Sequence, residues 1–150
     1  MPQSLAALYV HLVYSTKDRA PVLTPDWRPE LFAVMGGIVR NKQCVMLEVG
    51  GVLDHLHALV SFHRQESIAD LVRDLKANSS NWIHQHIPRL SAFAWQAGYA
   101  AFSVGFRELR VVRPYVADQE SHHGGVSFQD EMRRMLTEHG VEYDERYVWG

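Results

Sequence analysis

Apolar residues in this chain recur at every second position in some stretches and at every third or fourth in others, and the order of those stretches restricts the fold. Residues 5–16, rich in Val, Leu and Tyr, predict a first strand. Thr24, followed by Pro25, predicts a helix start, with Trp27, Leu31, Val34 and Ile38 at helical spacing up to about Asn41. Residues 44–49 predict a second strand and Gly50-Gly51 a turn. In a third strand, residues 55–62, Leu56, Ala58, Val60 and Phe62 fall on one face, and His55, His57 and Ser61 on the other. Ser67 opens a second helix whose stripe is Ile68, Leu71, Val72, Leu75, Ser79, Trp82 and Ile83, and Pro88 ends it. Residues 100–104 predict a fourth strand. A third helix is expected over residues 114–123, stopping at Gly124-Gly125; a fourth starts at Ser127, with Phe128, Met132, Met135 and Leu136 inward and Gly140 as its stop. This order gives an α+β class, a ferredoxin-like βαββαβ antiparallel sheet with helices on one face plus two C-terminal helices. No repeat or linker interrupts it, so one domain is expected over residues 1–150.

The composition, 47% hydrophobic and 21% charged, belongs to a globular chain. A net charge of -2 does not mark a general polyanion binder, yet Arg107, Arg110 and Arg113 cluster while the tail beyond Gln119 is mostly acidic. The lone Cys44 forms no intramolecular disulfide and suits a reducing compartment. No basic segment precedes the first apolar stretch, and no apolar run reaches the roughly 20 residues that span a bilayer. A cytoplasmic protein with no membrane partner is expected.

Three groups of residues carry chemistry. His55 and His57, two apart on a strand, point the same way and are able to share one metal ion; equally, they read as a pair of histidines on a half-exposed strand. Tyr115 and Gln119, four apart on the predicted third helix, share one helical face. A phenol with an ordinary pKa of about 10 is a weak nucleophile unless its target is polarised, as a metal polarises a phosphate; Gln119 offers such a metal an amide oxygen. The plain alternative is a buried aromatic with a surface amide one turn away. His122 and His123 read as phosphate contacts, proton carriers or solvated side chains. Arg73, Lys76, Asn78, Ser80 and Asn81 lie off the apolar stripe of the second helix, as a nucleic-acid backbone contact or a solvated face requires. Trp95 and Tyr99 are either base-stacking groups or loop anchors.

Together these pieces resemble the single-tyrosine HUH transposases of small bacterial insertion sequences (the insertion-sequence 200/605 type) and their REP-associated relatives. The resemblance runs from His11-Leu12-Val13-Tyr14-Ser15-Thr16-Lys17 through Asp54-His55-Leu56-His57, Leu75-Lys76-Ala77-Asn78-Ser79-Ser80, Trp95-Gln96-Ala97-Gly98-Tyr99 and Phe102-Ser103-Val104 to Tyr115, Gln119, His122 and His123. Ala58 departs from it, standing where a bulkier apolar residue is common. The resemblance implies a transposase that cleaves and rejoins single-stranded DNA at hairpin-bearing element ends. Tyr115 would form a 5′-phosphotyrosine intermediate, and His55, His57 and Gln119 would hold a divalent cation, Mg²⁺ or Mn²⁺. It further implies a homodimer with composite active sites, and backbone contacts from Arg73, Lys76 and Arg113. Two other readings are a domesticated protein that holds DNA hairpins without cutting them, and a ferredoxin-like metal or small-molecule domain unrelated to DNA.

Overall fold

In the computed structural model, which describes residues 2–122 and 125–150 and only the backbone of His122, four strands form one antiparallel sheet. They are β1 (Tyr9–Ser15), β2 (Val45–Gly51), β3 (His55–Ser61) and β4 (Ala100–Val104), in the order β2-β3-β1-β4. Helices α1 (Arg28–Asn41) and α2 (Ile68–His86) make the two crossovers, and α3 (Leu109–Ala117), α4 (Gln119–His122) and α5 (Phe128–Glu138) follow β4. This is the ferredoxin-like plan that the order of periods predicts.

The pleat divides the sheet into two unlike faces. Leu12 and Tyr14 of β1 with Leu56, Ala58 and Val60 of β3 face α1 and α2 and are buried against Leu31, Met35 and Val39 and against Leu71, Leu75 and Ile83. Each leucine, isoleucine, valine or methionine among them, taken fully from water, contributes about 1.5–3 kcal/mol. On the reverse face Val13 and Phe102 meet Phe128, Met132, Met135 and Leu136 of α5. Beside them, Leu59 and Val104 meet Val116 of α3. The C-terminal helices therefore roof the face that carries His55 and His57.

Several boundaries differ from the sequence reading. The β1 ladder begins at Tyr9, opposite Ser61 and Val104, and Leu5 is exposed. Thr24 does not cap α1: residues 25–27 form a turn in which the Trp27 and Arg28 amides both reach the Thr24 carbonyl, and Pro29 occupies the first helical turn. Gly50 and Gly51 belong to β2, paired with His57 and Leu56, and the turn falls after them. The third helix starts at Leu109, so Pro114 lies inside it and removes one backbone donor. That helix ends at Ala117, and Gln119 opens the separate turn α4. The expected stop at Gly124 lies outside the described residues. Ser67 and Ser127 do cap α2 and α5, each accepting a backbone N–H three residues on at 3.1 Å. Gly140, with φ +69°, follows α5 as a left-handed stop.

One glycine decides how α3 sits. A Cβ on Gly50 would lie 1.9 Å from the Val116 carbonyl oxygen, so α3 docks on the sheet only because this position has no side chain. Gly50 is the cross-strand partner of His57, which places the end of α3 beside the histidine pair.

Candidate active site

His55 and His57 are fully buried, unlike surface histidines, because α3 and α5 cover their face. One ring nitrogen of each is fixed from behind. His55 Nδ1 contacts Asp54 Oδ1 at 2.7 Å, and His57 Nδ1 contacts His11 Nε2 at 2.7 Å. Both Nε2 atoms approach a single carboxylate oxygen, Glu131 Oε1, at 3.5 Å for His55 and 2.9 Å for His57. Ligand atoms of His55, His57 and Glu131 all lie within 4.8 Å of one another, so the three could hold one metal ion.

The second oxygen of Glu131 accepts the Tyr115 hydroxyl proton in a hydrogen bond. The Tyr115 ring stands edge-on to His57, with centroids 5.7 Å apart, and to His11, 6.2 Å apart. Arg134, one turn along α5 from Glu131, donates from Nη2 to the phenol oxygen at 3.2 Å. The phenol, the histidine pair and the guanidinium thus converge on one glutamate within a single chain.

Electrostatics in this arrangement favour a charged Glu131 and a neutral phenol. Burial raises the Glu131 pKa, but hydrogen bonds from His55 and His57 outweigh it and hold the carboxyl far below its usual range. Burial pushes the Tyr115 phenol up and the bond to Glu131 adds to the rise, while Arg134 opposes it. Burial lowers the charge on His55 too, yet Asp54 and Glu131 reverse that and raise its pKa. His11 is driven down to about 3 by burial and by its neighbour His57. A neutral His11 can accept a proton from His57 Nδ1, while His57 Nε2 faces Glu131.

The other sequence-singled residues have varied surroundings. Gln119 is buried on α4; its Nε2 donates to the Tyr115 carbonyl at 2.7 Å, and its Oε1 has no hydrogen-bond partner among the described residues. Lys76 donates to the carbonyls of Gln96, Ala97 and Gly98 at 2.8, 3.2 and 2.6 Å and lies over the Tyr14 ring. Partial burial pulls its ammonium down to about 8. Arg73 is exposed and pairs with Asp70 and Asp74. Arg113, on the opposite side of the sheet, donates to the Leu47 carbonyl at 3.1 Å. Trp95 is a core anchor that donates to Ser79 Oγ at 3.0 Å, and Cys44 is buried. The side chain of His122 and the whole of His123 lie outside the described residues.

Residues 4–119 match the protein family described as "Transposase IS200 like". The chain belongs to the IS200-like transposase family. No curated protein matches the sequence. Among solved structures, a candidate transposase from Deinococcus radiodurans R1 aligns over 77% of this chain and 95% of its own, at 22% identity and a TM-score of 0.65. A REP-associated tyrosine transposase bound to a REP hairpin aligns over 100% of this chain and 94% of its own, at 14% identity and a TM-score of 0.61. At these identities the two structures share the family's fold. Among the described residues no helix is long and apolar enough to cross a membrane.

Sequence reasoning did not single out Glu131, Arg134 or the role of His11. The signal for Glu131 was present: it lies three residues after Phe128 and four before Met135, on the inward stripe of α5. A carboxylate in that position needs partners, and His55 and His57 are those partners.

Proposed function

We propose that this transposase cleaves and rejoins single-stranded DNA at hairpin-bearing ends, with Tyr115 as nucleophile and a divalent cation, Mg²⁺ or Mn²⁺, held by His55, His57 and Glu131. The observation that carries this reading is the bridging carboxylate of Glu131, one oxygen towards both imidazoles and the other on the Tyr115 hydroxyl. The donor set suits such an ion: two imidazoles held in place from behind and one charged carboxylate, with the orphaned Gln119 oxygen proposed as a further ligand. When bound, the ion would polarise the scissile phosphate.

The chain's own groups do the rest. Glu131 orients the phenol through the hydrogen bond it accepts, and the phenol gives up its proton as the Tyr115 oxygen attacks phosphorus. The new bond is tyrosine O–P and the broken one is P–O3′, whose oxygen gains a proton and leaves as a 3′-hydroxyl. Arg134, already on the phenol oxygen, faces the charge that builds on the phosphoryl oxygens. A second 3′-hydroxyl reverses the step and joins a new strand. Within its own chain Tyr115 stands edge-on to His57, and a homodimer with composite active sites, as the family resemblance implies, is part of the same proposal.

The test is an incubation of the protein with Mn²⁺ and oligonucleotides tiling the DNA on either side of its gene, resolved on denaturing gels. A denaturation-resistant adduct is expected, lost on chelation, and lowered about 100-fold in Arg134→Ala. If no oligonucleotide in the tiling gives an adduct, the cutting reading fails and hairpin holding without cutting replaces it. Calorimetric titration with Mn²⁺ tests the donor set separately: Glu131→Gln should weaken binding at least about 10-fold, and unchanged affinity would remove Glu131 from it.

A further inference from the structure

A cleft of about 560 Å³ opens between the start of α1, the turn after β2 and the start of α5. Arg28, Asp54, Glu120 and Ser127 are its polar lining. The Arg28 side chain is only 7% exposed. Its Nη1 donates to the Leu23 carbonyl at 2.9 Å, which fixes the guanidinium from the protein side. Its Nη2 pairs with the Glu120 carboxylate, whose side chain is 67% exposed and rides on the four-residue turn α4.

The two partners of this ion pair are unequal. The guanidinium cannot reach bulk water without rearranging the fold, whereas Glu120 can swing into solvent and be hydrated there. Arg28 therefore needs an anion and Glu120 is a replaceable one. The first turns of α1 and α5 border the same cleft, so the positive ends of two helix dipoles lie beside it. Asp54, the other acid on the wall, is engaged with His55. Phe128 lines the cleft and also packs on the His55 ring, with centroids 4.5 Å apart, so the cleft lies directly against the candidate active site.

We propose that Arg28 binds a backbone phosphate of single-stranded DNA, and that Glu120 holds this place until the strand displaces it. The proposal rests on the DNA-processing reading above and names where its substrate lies. A guanidinium presents a planar pair of N–H groups that matches phosphate oxygens as it matches a carboxylate, so the exchange needs no new geometry.

The test uses non-covalent binding by the full-length chain carrying Tyr115→Phe. Fluorescence anisotropy reads its affinity for a thymidine oligonucleotide of about 20 residues, measured from about 50 to 200 mM salt. Glu120→Gln should tighten binding about 3–10-fold, more than Asp118→Asn, which removes an equal charge from the same segment. Arg28→Gln should weaken binding and flatten the slope of log K against log salt by about 0.7, the value for one lost phosphate contact on a single strand. The double variant Arg28→Gln/Glu120→Gln should bind no better than Arg28→Gln. A Glu120→Gln variant that folds normally but binds no tighter than the Asp118→Asn control overturns the proposal. So does a double variant as tight as Glu120→Gln alone, or absence of measurable binding at the lowest salt. If Arg28→Gln does not fold, Glu120→Gln against its control still decides the matter. The outcome is separable from the cutting reading, because no adduct forms in the Tyr115→Phe background.

Discussion

Tyr115→Phe should eliminate the covalent protein–DNA adduct, a loss beyond about 10³-fold, while the protein still folds and binds DNA. The substitution keeps the ring that packs edge-on to His57 and His11. It removes only the oxygen shared by Glu131 and Arg134. Glu131 retains its contacts with both imidazoles, so the stability cost should be that of one hydrogen bond, about 0.5–1.5 kcal/mol. Denaturing gels with labelled oligonucleotide read the first effect and thermal melting the second. An adduct that survives in Tyr115→Phe would place the nucleophile on another residue.

Gly50→Ala should be the most damaging glycine-to-alanine change among the described residues. The added carbon would stand 1.9 Å from the Val116 carbonyl oxygen, 3.0 Å from its carbon and 3.3 Å from the Ala117 Cα, all backbone atoms that no rotamer change can move. The end of α3 must lift from the sheet, loosening Val116 from Leu59 and Val104. Overpacking of this kind costs about 1–3 kcal/mol. Tyr115 moves with the helix, and a displacement of about 1 Å costs on the order of 100-fold in rate, so adduct formation should fall further than stability alone explains. Gly36→Ala is the matched control, since nothing lies within 4 Å of a Cβ there and a helical alanine is favoured by up to about 1 kcal/mol. Wild-type melting and wild-type adduct yield in Gly50→Ala would show that α3 does not dock as described.

The sheet was legible because its signals are local. The alternation of Leu56, Ala58 and Val60 with His55 and His57 fixes both faces of β3, and the stripe of α2 between Ser67 and Pro88 fixes the longest helix. The helix around Tyr115 was only half legible. Pro114 looks like a first-turn proline, but the preceding residues 109–113 carry enough apolar contact with β2 and β3 for the helix to absorb an interior proline. The consequence reaches the site: Tyr115 and Gln119 keep their spacing but sit on two helical segments, α3 and α4. Glu131 and His11 escaped notice for another reason. Their meaning depends on long-range pairing, 74 residues from Glu131 to His57 and 46 from His11 to His57, and no periodicity within one element reports on that.

The anchoring of His55 by Asp54 and of His57 by His11 also bears on the order in which this protein is assembled. Both anchors are laid down by the sheet and its turn, so the imidazoles of the proposed metal site would be set in place by folding alone. In a zinc finger the ion supplies the folding energy, and chelators unravel the domain. If the proposed cation binds there, a chelator would meet a folded apoprotein, and loading and unloading of the ion would be exchange that leaves the scaffold standing.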